Sequence, residues 1–167
     1  MYEYAPHFLK KKEKRLCYGF FGLAAILFVA SAIDGLPLPW LFQTLAVAAI
    51  VPMITVYSLC LSRDYTYTVQ ARKDAAPDFI ITEHVGKRSQ VVCRISVASV
   101  QRVEPLTKET KRAPEKSREG RQYFSYTGVL FDERQCYVYA EECDTALLLR
   151  ICADDTLFSL LGGNENP

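Results

Sequence analysis

Catalysis needs a nucleophile, a base or a metal, and few residues of this chain could supply one. There are two histidines, His7 and His84. His7 lies in an N-terminal tail, and His84 ends a predicted strand beside a turn. Neither has a recognisable acid or nucleophile at motif spacing. The six cysteines, Cys17, Cys60, Cys93, Cys136, Cys143 and Cys152, form no CxxC pair and have no companion histidine cluster, so zinc-site spacing is lacking. Glu141, Glu142 and Asp144 gather at a turn, which a solvated loop explains more simply than a divalent-cation site. No GxSxG, HExxH, GxxxxGK[ST] or GxGxxG occurs. The expectation is a chain that is not an enzyme, with no catalytic residue, cofactor or metal.

Binding chemistry is better represented. Twenty Lys+Arg face nineteen Asp+Glu, net +1, so no global field recruits nucleic acid and no nucleic-acid partner is expected. Two segments depart from this balance. Residues 1–15 carry five bases (Lys10, Lys11, Lys12, Lys14, Arg15) and two acids. Residues 108–121 carry six bases (Lys108, Lys111, Arg112, Lys116, Arg118, Arg121) and three acids. Next to an anionic leaflet each base is worth about 1 kcal/mol. For the tail, a topology signal is the simpler reading. For the polar loop, contact with lipid headgroups and plain solubility stand level. Tyr65, Tyr67, Tyr123, Tyr126, Tyr137 and Tyr139 offer aromatic surface for a protein partner, although burial on strands accounts for most of them more simply.

These residues hang on a sharply divided sequence. At 167 residues and 50% hydrophobic, the chain is neither disordered nor long enough for two ordinary domains. Residues 16–33 form an uncharged run of 18, and residues 38–62 one of 25. A bilayer core needs about 17–25 apolar residues, and helix satisfies the backbone there. Neither run has the polar face of a soluble helix. The expectation is two transmembrane helices, 16–33 and 38–62, joined by Asp34-Gly35-Leu36-Pro37. Trp40 would sit at the interface, and Pro52 would kink the second helix.

The basic flank before the first run and Arg63, Arg72 and Lys73 after the second place both termini in the cytoplasm and the turn outside. The expected location is the cell (plasma) membrane, multi-pass. In that reducing compartment the four cysteines beyond the spans read as buried thiols on strands.

Residues 63–167 read as a β-rich cytoplasmic domain, after a tail at 1–15 and a hairpin at 16–62. Alternating or β-branched stretches predict strands near 64–69, 79–85, 89–95, 100–104, 122–130, 136–140 and 146–152. Gly86-Lys87-Arg88 turns the second into the third. Residues 96–99 make a brief helical turn. Asp154 or Asp155 caps a helix over 156–161 that Gly162 and Gly163 stop.

About seven antiparallel strands closed by a C-terminal helix make an α+β domain that resembles the pleckstrin-homology (PH) fold. With two preceding spans, the layout is similar to bacterial membrane proteins carrying PH-like domains. The resemblance rests on Tyr65-Thr66-Tyr67-Thr68-Val69 directly after the span, the Gly86-Lys87-Arg88 hairpin, Val92-Cys93-Arg94-Ile95-Ser96 leading into Val100-Gln101-Arg102-Val103, and the helix from Asp155 to Leu161. It departs from phosphoinositide-binding PH domains in two places. Residues 70–77 hold only Arg72 and Lys73 with Asp74 instead of a basic series with R-x-R, and the terminal helix lacks a tryptophan.

The reading that results is a membrane-anchored PH-like binding or scaffold protein at the cytoplasmic face, working with a protein partner or as a homo-oligomer. The alternative is an element that senses anionic lipid or envelope stress through the basic loop 108–121.

Overall fold

A computed structural model describes residues 1–6, 10–33, 38–73, 75–106, 120–130, 134–142 and 144–163. The chain forms two units. Phe8–Arg63 is one; Met1–His7 together with Asp64–Pro167 is the other. The first seven residues therefore fold with the sheets, not with the helices that follow them.

The helical unit contains α1 (Lys11–Ala30) and α2 (Pro39–Val56), which continues as a π-helical turn, Tyr57–Leu61. The expected turn at 34–37 lies outside the described residues. Pro39 opens α2 at a position where its missing N–H costs nothing. The helix then continues through Pro52. The two helices pack together, with the start of α1 beside the end of the π turn. Lys10, just before α1, donates from Nζ to the Arg63 carbonyl at 2.7 Å and also to the Cys60 carbonyl. A cation thus meets the Cys60 carbonyl, which the end of the helix leaves without an intrahelical donor, and the Arg63 carbonyl at the start of the next element.

The expected pair of spans, 16–33 and 38–62, needs correction. Among the described residues only Pro39–Leu61, 23 residues, is long and apolar enough by length and composition to cross a bilayer. Helix α1 begins within the charged flank, at Lys11, and stops at Ala30. Its uncharged helical part, residues 16–30, reaches about 22 Å at 1.5 Å per residue, short of a hydrocarbon core of about 30 Å.

Among the described residues the sheet unit has eight strands: β1 (Tyr2–Tyr4), β2 (Arg63–Gln70), β3 (Asp78–Val85), β4 (Arg88–Ser96), β5 (Val100–Pro105), β6 (Gln122–Ser125), β7 (Gln135–Glu142) and β8 (Thr145–Cys152). They form two four-stranded sheets ordered β1-β2-β3-β4 and β5-β7-β8-β6. The α+β class stands, with two corrections. An eighth strand, β1, adds to the first sheet by pairing antiparallel with β2, Tyr2 opposite Val69 and Tyr4 opposite Tyr67. The second sheet is mixed, because β6 runs parallel to β8. The expected strand 122–130 shortens accordingly: ladder pairing ends at Ser125, followed by the Tyr126 N–H bond to the Arg150 carbonyl at 2.8 Å. Strands β5 and β6 lie at opposite edges, so no tight hairpin can join them.

Local rules explain the rest. Gly86 takes φ +61 as the first residue of the two-residue β3–β4 turn, where a side chain would be strained. Ser96 caps the 3-10 turn Val97–Ser99, its Oγ accepting from Ala98 N. Asp154 caps α3 (Asp155–Leu160) by accepting from Leu157 N at 2.9 Å. Gly162, at φ +84, ends that helix.

The core holds Tyr67, Phe79 and Ile81 from the first sheet, Val138, Leu149 and Ile151 from the second, and Leu157 from α3, all fully buried. The Tyr67 hydroxyl joins the sheets. It donates to the Tyr126 carbonyl at 2.7 Å and accepts from Cys152 N at 3.2 Å. Adjacent Leu148 and Leu149 point to opposite faces of β8 yet are both fully buried, so the second sheet is covered on both sides.

Candidate binding surface

The outer face of the second sheet carries a cluster of Leu106, Tyr137, Tyr139 and Leu148, with Tyr123 packed against it. Cross-strand register builds it. Arg102 lies opposite Tyr139 on β5–β7, and Tyr139 opposite Leu148 on β7–β8. Tyr123 lies opposite Leu148 on β6–β8. The Arg102 guanidinium carbon sits 4.7 Å from the centre of the Tyr139 ring, and that of Arg121 5.1 Å from it. The aromatic face attracts both cations and lets their edges donate outward. Arg102 also pairs with Glu104 at 3.1 Å.

Arg121 is thus the one proposed headgroup contact with a described position. Lys108, Lys111, Arg112, Lys116 and Arg118 lie outside the described residues. Within the expected basic flank, Lys10 is the carbonyl ligand described above. Lys11, Lys12, Lys14 and Arg15 are exposed on the first turns of α1, whereas Glu13 among them is buried. Arg102 was not visible as a site residue, because its partner ring is 37 positions away and only register brings them together.

In the β2–β3 connection one of the two bases is engaged. Buried Asp78 accepts from Arg94 Nε at 2.9 Å and from its terminal nitrogen, and lies 3.5 Å from Arg72. Arg72 is therefore paired within the sheet unit. Asp74 lies outside the described residues.

Four of the six tyrosines, Tyr65, Tyr67, Tyr137 and Tyr139, are buried, and Tyr123 and Tyr126 are half-buried. The aromatic partner surface thus contracts to Tyr123, Tyr126 and exposed Phe124, which stacks on Tyr126 at 6.0 Å. Burial holds the Tyr67 phenol well above its usual range and pushes that of Tyr126 up to about 12.

Burial raises the Cys136 thiol to about 12; burial, then the Glu142 charge, raises that of Cys93 to about 11. Cys152 is also buried, and Cys143 lies outside the described residues. His84 Nε2 shares a hydrogen bond with Thr66 Oγ1 at 3.0 Å, and His7 lies outside the described residues. Glu141 accepts from Gln101 at 2.6 Å. Among the described residues no group of three His, Cys, Asp or Glu could hold a metal ion.

No protein-family model matches the chain, and no curated protein or solved structure matches it.

Proposed function

We propose that this chain is a membrane-anchored binding or scaffold protein whose sheet unit is a PH-like domain at the cytoplasmic face, acting by association and not by catalysis. One observation carries the anchoring. Helix α2 with its π turn is apolar on every side, yet only 22% of its most apolar stretch is buried by the rest of the chain. Large side chains such as Trp40, Val47, Val51, Ile54 and Tyr57 stand exposed along it. Such a surface needs hydrocarbon or a partner to cover it.

The β1–β2 ladder supports a paired crossing. Residues 1–7 and 64–167 fold as one unit, and β1 pairs with β2 across the helices. A single crossing would leave these strands on opposite sides of the bilayer. Helix α1 therefore returns the chain, its short apolar part accommodated by snorkelling of Lys11, Lys12, Lys14 and Arg15. The basic flank favours the cytoplasm for the shared side.

For binding, the support is the aromatic and cationic character of the second sheet, together with thiols that burial keeps protonated. A second reading, sensing of anionic lipid or envelope stress through the basic loop, draws on the two guanidinium groups gathered at Tyr139.

The test is in-cell crosslinking of a C-terminally tagged chain, gentle solubilisation and identification of what co-purifies. The scaffold reading expects a stoichiometric protein partner or a homo-oligomer. Recovery of a monomer with anionic lipid alone would replace it with the lipid-sensing reading.

A further inference from the structure

The turn between β3 and β4 stands at a particular end of the first sheet. Thr66 Oγ1 meets His84 Nε2 at 3.0 Å, and the Tyr65 hydroxyl donates to Glu83 Oε1 at 3.1 Å. The first residues of β2 therefore lie level with the last residues of β3. At about 3.3 Å per residue, Arg63, three positions before Thr66, and the turn, two positions beyond His84, reach the same end of the sheet. Only Ser62 separates Arg63 from the last residue of the apolar helical segment, Leu61. By contrast, Arg72 and Lys73 follow the far end of β2, a strand of eight residues.

At the near end the turn presents Val85, 43% exposed, followed by Gly86 and the exposed bases Lys87 and Arg88, neither in an ion pair among the described residues. An apolar side chain beside two unpaired cations is complementary to an anionic bilayer surface. Among the described residues of β2 and β3 the acids toward this end are Asp64 and Glu83, the latter engaged by Tyr65.

We infer that the Val85–Arg88 turn is a second membrane contact of this chain: Lys87 and Arg88 engage anionic headgroups while Val85 enters the interfacial layer. The inference rests on the membrane-anchored reading above. It also separates this contact from the β2–β3 connection, which lies at the opposite end of β2.

Tryptophan fluorescence tests it in the full chain. Trp40 is the only tryptophan, so Trp40→Phe gives a silent background. Val85→Trp, Lys73→Trp and Val47→Trp are each added separately, all at exposed positions. The proteins are reconstituted into phosphatidylcholine vesicles with and without phosphatidylglycerol, containing lipids that carry a nitroxide quencher at the headgroup or mid-chain. The expectation is mid-chain quenching at position 47. At position 85 we expect headgroup quenching that rises about twofold with phosphatidylglycerol and falls back in high salt or on Lys87→Glu with Arg88→Glu. Position 73 should stay unquenched. Quenching at 47 but no more at 85 than at 73, or quenching at 85 indifferent to charge reversal, would overturn the turn contact alone. No quenching at 47 would overturn the anchored reading and this inference with it.

Discussion

The Tyr2 hydroxyl donates to Asp154 Oδ2 at 2.5 Å, across 152 positions of sequence. The other oxygen of the same carboxylate caps α3 through Leu157 N. One acid thus holds both the first strand and the last helix of the sheet unit, while the helical unit is inserted between β1 and β2. Burial and the adjacent carboxylate both raise the Tyr2 phenol, so it remains a donor at neutral pH.

Asp154→Ala should therefore cost more than a cap alone. Loss of the cap and of the Tyr2 acceptor is expected to lower stability by about 2 kcal/mol, with Tyr2→Phe nearer 1 kcal/mol. Urea unfolding of the full chain in mild detergent measures both. In a double-mutant cycle, adding Tyr2→Phe to Asp154→Ala should cost almost nothing further.

Tyr67→Phe removes the hydroxyl that joins the sheets, leaving the Cys152 N–H and the Tyr126 carbonyl without it. The expected loss is about 1–3 kcal/mol, since buried polar groups go unsatisfied. Faster amide hydrogen exchange at Cys152 would localise the effect.

Alkaline pH should destabilise the sheet unit over a defined window. In the folded chain the Cys136 thiol is raised from 9.0 to about 12 and the Tyr126 phenol from 10.0 to about 12. The unfolded chain releases these protons first, so their contribution is intact below pH 9 and is lost as pH rises from there to 12. Denaturation midpoints measured across that range should fall steadily. Below pH 9, Cys136 and Cys152 should resist thiol reagents until the chain unfolds.

Lys10→Met should loosen the end of the helical hairpin. The ammonium is a charged donor to the carbonyls of Cys60 and Arg63. Its loss is expected to cost roughly 1.5 kcal/mol locally, about tenfold faster amide exchange around the π turn. Lys10→Arg should restore part of the protection.

Much of the sheet unit was legible because its signals are local. Alternation marked six strands to within two residues, with 122–130 drawn five residues too long; Gly86 marked its turn, and Asp154 and Gly162 bounded α3. What escaped depends on distant partners. Tyr2-Glu3-Tyr4 is too short to carry a strand pattern and becomes one only because β2 offers an edge. The parallel pairing of β6 is set by crossover topology, which residues 122–125 do not encode. The true start of α1 escaped too, since Lys11 to Arg15 have good helix propensity and a charge count locates a hydrophobic run, not a helix. At the candidate surface, the basic residues were readable as composition. The stacking of Arg102 and Arg121 on Tyr139 was not, because it follows from register.

The central claim is that the helices between β1 and β2 cross the bilayer as a pair, keeping Glu3 and the sheet unit on one side. Single cysteines at Glu3, Gly35 and Lys73, in a chain whose native cysteines are replaced, can be probed with a membrane-impermeant maleimide in intact cells. Labelling of Gly35→Cys without permeabilisation, and of Glu3→Cys and Lys73→Cys only after it, is the predicted result. Glu3→Cys and Lys73→Cys reporting opposite sides, or Gly35→Cys reporting the same side as both, would contradict it.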